Sequence, residues 1–184
     1  MINMAYDKSK KHGVVNVARA SGTENSTDVY SALVTKNDTP IECDNGTIID
    51  LGAVKTLTTL LNEPNLEVYS AQINTNASAD KSTLAIVATP ELIYDECTHH
   101  ALDEYYNEAG LVVRAYALTE RSCFGLSAEC FTNPDDLGIN KQVTLSNDGK
   151  LTVGSEDTTT APTFAFIENV LQYDFETYYI VRIY

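Results

Sequence analysis

The chain has 184 residues, 43% of them apolar, enough for a buried core in one domain or two small ones. A formal net charge of −14 argues against nucleic-acid binding, which needs a basic face, and disfavours an anionic membrane surface. No apolar run approaches the roughly 20 residues of a membrane helix, and the polar residues 1–13 contain no apolar signal-peptide core.

The first twelve residues (MINMAYDKSKKH) read as an extended basic arm. Lys8, Lys10, Lys11 and Arg19 stand against Asp7 alone in residues 1–20, so the remainder is more acidic than the whole. Such an arm suits docking on an acidic protein surface; the plain alternative is a solvated terminus. Val14, Val15, Val17 and Ala18 begin a first strand, and Val29 to Val34 form a second before a turn over Lys36 to Pro40. Asp44-Asn45-Gly46 between two apolar runs predicts a tight hairpin, since Asn-Gly supplies the positive φ values required. Leu57, Leu60 and Leu61 have the spacing of one or two helical turns before Pro64, and residues 66–71 alternate as a strand.

Leu84 to Ala88 is apolar on both faces and predicts a buried strand, stopped by Pro90. Thr98 is placed to cap a helix from His99 to Ala109, with Leu102, Tyr105, Tyr106 and Ala109 on one face and Gly110 as its stop. Leu111 to Leu118 and Cys123 to Phe131 follow as strands. Asn147-Asp148-Gly149 predicts a second hairpin, residues 155–162 (SEDTTTAP) an exposed loop, and Phe164 to Val170 and Tyr178 to Ile183 the closing strands. The last strand is apolar on both faces, with only Arg182 interrupting the set Tyr178, Ile180 and Tyr184. That set is covered either by its own domain or by another subunit, where Tyr and Arg are enriched.

Candidate chemistry concentrates at Cys97-x-His99-His100, with Asp95, Glu96 and Asp103 nearby. These are soft and hard metal ligands together. On a helix, however, adjacent His side chains point about 100° apart, and no second ligand pair has zinc spacing. A Cys97–His99 nucleophile pair lacks an orienting third group. Glu91, Asp95, Glu96, Asp103, Glu104 and Glu108 read as a solvated acidic face. No nucleotide-binding glycine motif is present. Neither a catalytic, a cofactor nor a metal site is expected, and the four cysteines are expected to be free thiols.

The stretch Ala88-Thr89-Pro90-Glu91, Tyr94-Asp95-Glu96, Glu104-Tyr105-Tyr106-Asn107-Glu108-Ala109-Gly110, Arg114-Ala115-Tyr116-Ala117-Leu118 and Phe124 to Ala128 resembles a group of decoration proteins. These are the cement or head-fibre-base proteins of tailed-bacteriophage heads, encoded beside the major capsid protein. Asp44-Asn45-Gly46-Thr47, Asp50-Leu51-Gly52 and Val181-Arg182-Ile183 extend the likeness in short pieces. One departure is Arg121-Ser122-Cys123, where Gly-Asp would be expected before the Phe124 strand.

The resemblance implies a non-enzymatic virion protein on the outer capsid surface, made in the host cytoplasm. Its partner would be the major capsid protein, and it would be a homo-oligomer, with a trimer fitting symmetric sites. Lys8, Lys10, Lys11, Tyr178, Arg182 and Tyr184 are the expected contact residues. The fold expected is mainly β: arm 1–12, an N-terminal β portion 13–89, and 90–184 as a short helix plus a C-terminal β-barrel or sandwich of about residues 110–184. The last two parts can equally form one continuous domain. Other readings are a tail or connector component, a metal-dependent hydrolase using Cys97, His99 and His100, and a carbohydrate-binding β module.

Overall fold

The computed structural model describes residues 11–21, 29–56, 67–76, 81–90, 104–154, 164–173 and 176–184. Among these the architecture is mainly β, with twelve strands in two sheets. They are β1 (Val15–Ser21), β2 (Val29–Lys36), β3 (Thr39–Pro40), β4 (Ile48–Thr56), β5 (Glu67–Ile73), β6 (Leu84–Val87), β7 (Val112–Ala117), β8 (Cys123–Leu126), β9 (Gln142–Leu145), β10 (Leu151–Val153), β11 (Ala165–Tyr173) and β12 (Glu176–Ile183).

One sheet closes on itself. Its order is β3-β2-β5-β4-β6-β7, and β7 returns to pair with β2, which makes a five-stranded barrel with β3 as an appendage. A ring of five strands encloses little volume, so its interior is filled by small and β-branched side chains. Ala32, Ala71, Ala85 and Ala115 pack there with Val34, Ile49, Val87 and Val113. The second sheet has the order β1-β8-β12-β11-β9-β10 and lies against the outside of the barrel. Their interface is the larger core: Ile48, Leu84 and Ile86 from the barrel meet Phe124, Leu126, Val143, Ile167, Val181 and Ile183 from the sheet.

The two-sided β6 explains its sequence. Ala85 and Val87 point into the barrel while Leu84 and Ile86 point into the interface, so neither face can be polar. Burying a side chain such as Ile86 contributes about 1.5–3 kcal/mol.

Several expectations change. The barrel is built from β2, β4, β5, β6 and β7, not from residues 110–184, because β7 finds partners on both edges in β6 and β2. Strands also cross the expected boundary near residue 90: β1 pairs with β8, and β7 completes the N-terminal barrel. The Asp44-Asn45-Gly46 turn forms, with Gly46 at φ +86°, but its flanks do not pair with each other. Gly46 N–H donates to the Val87 carbonyl and Val87 N–H to the Thr47 carbonyl, which draws the chain onto β6 instead.

In the described half of the segment predicted as helix, residues 104–109, there is no α-helix: Glu104 is 3-10, Asn107 sits in a bridge and Ala109 in a turn. Asn107 forms an isolated antiparallel bridge to Cys43, and that pairing replaces helical hydrogen bonding. Strand β8 stops at Leu126, four residues short of Cys130, which lies in a 3-10 turn (Ala128–Cys130). Ser127 ends the strand by donating its N–H to the Val14 carbonyl and accepting the Val14 N–H on Oγ. The second hairpin forms as expected, with Leu145 opposite Leu151 and Gly149 at φ +80°. The 57–61 turns and the 155–162 loop lie outside the described residues.

Candidate functional site

Two places gather side chains with chemical potential. The first is a polar knot where the N-terminal segment, the 43–47 turn, Thr89 and Asn107 meet. Asn45, 1% exposed, uses its whole amide: Nδ2 donates to the Thr89 carbonyl at 2.9 Å, and Oδ1 accepts the Thr89 N–H at 3.0 Å. Asn107 Nδ2 donates to the Cys43 carbonyl and to Asn45 Oδ1, each at 3.1 Å. His12 Nδ1 lies 2.6 Å from Asp44 Oδ1, and its ring stacks on Tyr106 with centroids 5.3 Å apart. Burial, with Glu108 and Glu42 nearby, pushes the Tyr106 phenol up.

Behind the knot sits Cys130. Its thiol donates weakly to the Val14 and Asn45 carbonyls at 3.6 and 3.7 Å. Burial pushes Cys43 and Cys130 to about 12. At neutral pH both are protonated and poor nucleophiles. The knot thus ties four segments together, with its polar groups directed at one another.

The second place is the end of β12. Phe166 lies opposite Gln142 on β9 and Arg182 on β12, so the three share the outer face of the sheet. Arg182 donates from Nε and Nη2 to Glu168 Oε2 at 3.1 and 2.7 Å, and from Nη1 to the Arg121 carbonyl at 3.2 Å. The pair is partly exposed and stabilises the fold by about 0.2–1 kcal/mol. Tyr184 is 55% exposed and packs on Phe166 with centroids 5.0 Å apart. Asn140, Gln142, Phe166 and Tyr184 line a shallow cleft. On the other side of Tyr184 a second cleft is lined by Tyr30, Ser82, Thr119 and Glu120.

No protein-family model matches this chain, nor does any curated protein.

The expected contact residues separate. Arg182 and Tyr184 come together on the outer face. Tyr178, by contrast, is only 5% exposed and Ile180 is buried with it, so that half of the strand is covered within the chain. Strand β12 is a central strand between β8 and β11, as the first of the two readings had it. Lys11 is exposed. Lys8 and Lys10 lie outside the described residues, as do Cys97, His99 and His100. His12, expected in the arm, belongs to the body, because its ring is buried between Asp44 and Tyr106. Cys43, Cys123 and Cys130 are free thiols.

Among the described residues no group of three or more His, Cys, Asp or Glu is placed to hold a metal ion. Sequence reasoning missed His12, Asn107, Gln142 and Phe166. For Phe166 a signal existed: it alternates with buried Ala165 and Ile167, which puts an aromatic ring on the polar face of β11.

Proposed function

We propose that this protein is a structural component of a tailed-phage head that binds the outside of the capsid shell and stabilises it through the major capsid protein. The observation that carries the reading is the convergence of the pieces of sequence that bear the resemblance. Asp44-Asn45-Gly46-Thr47, Ala88-Thr89 and Tyr105-Tyr106-Asn107 are far apart in the chain and hydrogen-bond to one another in the knot. The likeness runs in short pieces along much of the chain, and three of them meet at this joint, which supports a shared framework.

Charge adds support. Docking on the shell would use the lysines of the arm, rooted on an acidic body, together with the Arg182–Tyr184 end of β12. Contacts available only on the assembled shell favour assembly by mass action.

The test is co-sedimentation with assembled shells and, separately, with unassembled capsid protein. The full chain should pellet with shells in near-stoichiometric amount. A form lacking residues 1–10, which keeps His12, should fold normally but bind at least fivefold more weakly. Unchanged binding of that form would remove the arm from the interface. Absence of any binding to shells would remove the capsid reading.

A further inference from the structure

We propose that Asn45 is a self-modification site that the fold seals: it deamidates only when the knot is open, and a deamidated knot does not close again. Asn45-Gly46 is the sequence's one Asn-Gly pair. With no side chain on Gly46, its amide nitrogen is sterically open to attack the Asn45 side-chain carbonyl carbon. The bond from the Gly46 nitrogen to Cγ forms as the bond from Cγ to Nδ2 breaks. The Gly46 amide proton leaves with Nδ2 as ammonia. Water then opens the resulting succinimide ring, giving aspartate at position 45 or isoaspartate, whose main chain runs through the former side chain.

The closed knot holds both reacting groups away from each other. Gly46 N–H is donated to the Val87 carbonyl at 2.8 Å, so the nucleophilic nitrogen is turned towards β6. The Asn45 amide is turned towards Thr89: Nδ2 donates to its carbonyl at 2.9 Å and Oδ1 accepts its N–H at 3.0 Å. Asn107 Nδ2 adds a third bond, to Oδ1 at 3.1 Å. Asn45 is 1% exposed, so water is kept from the carbon as well. Reaction therefore needs a local opening that breaks all of these bonds together.

Neither product fits the closed knot. Aspartate puts an oxygen where Nδ2 met the Thr89 carbonyl, leaving two acceptors face to face with no proton between them. It also buries a charge beside Asp44. Isoaspartate lengthens the main chain by a methylene directly before Gly46, where space is absent: a Cβ on Gly46 would lie 2.3 Å from Cys130 Sγ. The closed knot stops the reaction, and the reaction stops the knot. A copy that stays open long enough is thus lost one way from the folded pool. The inference goes beyond capsid docking and does not depend on it, since it concerns the isolated chain.

Peptide mapping by mass spectrometry tests it on the full chain, incubated at mildly alkaline pH either folded or unfolded in urea. Asn45 should convert in urea, and at least about 100-fold more slowly in the folded protein. When urea is removed from a partly converted sample, the folded fraction from size exclusion should carry Asn45 unmodified, with the modified chains in the unfolded fraction. Asn107→Ala removes one bond from the Asn45 amide and should speed conversion of the folded protein at least fivefold with an unchanged circular dichroism spectrum. No conversion in urea would overturn the proposal, as would folded and unfolded rates within threefold of each other. Modified chains that refold with the wild-type urea midpoint would overturn it too, as would a folded Asn107→Ala protein that converts no faster. If that variant does not fold, the wild-type rates and the refolding fractions decide alone.

Discussion

At the scale of single residues, the fold depends most visibly on polar groups that are buried and fully used. Asn45 shows why. Replacing it with Ala leaves the Thr89 N–H, the Thr89 carbonyl and one Asn107 donor without their partners, and each orphaned buried group costs about 1–3 kcal/mol. Thr89 is only half-buried, so water takes up part of that loss, and Asn45→Ala should lower stability by about 2–4 kcal/mol in urea titration; a loss under 0.5 kcal/mol would mean the knot is decorative. Gly46 is fixed for a different reason. Its φ of +86° disfavours a side chain, and a Cβ there would lie 2.3 Å from Cys130 Sγ.

The thiols make a pH prediction. Burial raises Cys43 and Cys130 from an ordinary 9.0 to about 12. A thiol whose pKa is higher folded than unfolded stabilises the fold below the unfolded value. That contribution is lost as pH climbs towards the folded value. The urea midpoint should hold up to about pH 9 and fall between pH 9 and 12, less steeply in Cys130→Ala. A midpoint that is flat to pH 11 would contradict the burial of both groups.

At the scale of elements, a strand was legible where its apolar pattern matched the cover of its faces, as a continuous run does for β6, buried on both sides. Strand β6 and the β9–β10 hairpin could be read directly, the hairpin because its partners are sequence neighbours. The 44–46 turn misled because its flanks bond to distant strands, a choice that local sequence does not encode. Leu102, Tyr105, Tyr106 and Ala109 have helical spacing, yet Asn107 pairs with Cys43; a tertiary partner overrode a local period. Barrel closure was illegible for the same reason, since it depends on β7 pairing at both edges and on β2 running parallel to β5.

The turn before β8 carries its own prediction. Arg121 sits at φ +73°, where the resembling sequences would be expected to carry a glycine nearby. A left-handed non-glycine residue costs about 1–2 kcal/mol, partly offset by the greater unfolded freedom of glycine. Arg121→Gly should stabilise the protein by about 0.5–1 kcal/mol in urea titration, because Arg182 bonds the Arg121 carbonyl and not its side chain. Destabilisation would show that the side chain makes a contact worth more than the strain.

At the scale of the whole molecule, a barrel and an open sheet share one core, and the arm begins beside the knot at His12. Among the described residues of the sequence-predicted contact set, Lys11 and the Arg182–Tyr184 end of β12 lie at the surface, while Tyr178 is buried. That end and the arm are the features through which an acidic body would meet a shell. The most direct measurement is imaging of intact phage heads assembled with this protein. The expected result is density for it at symmetry-equivalent sites on the outer shell at near-full occupancy, with the Arg182–Tyr184 end or the arm against the major capsid protein. Heads that carry none of the protein, or protein confined to the tail, would contradict it.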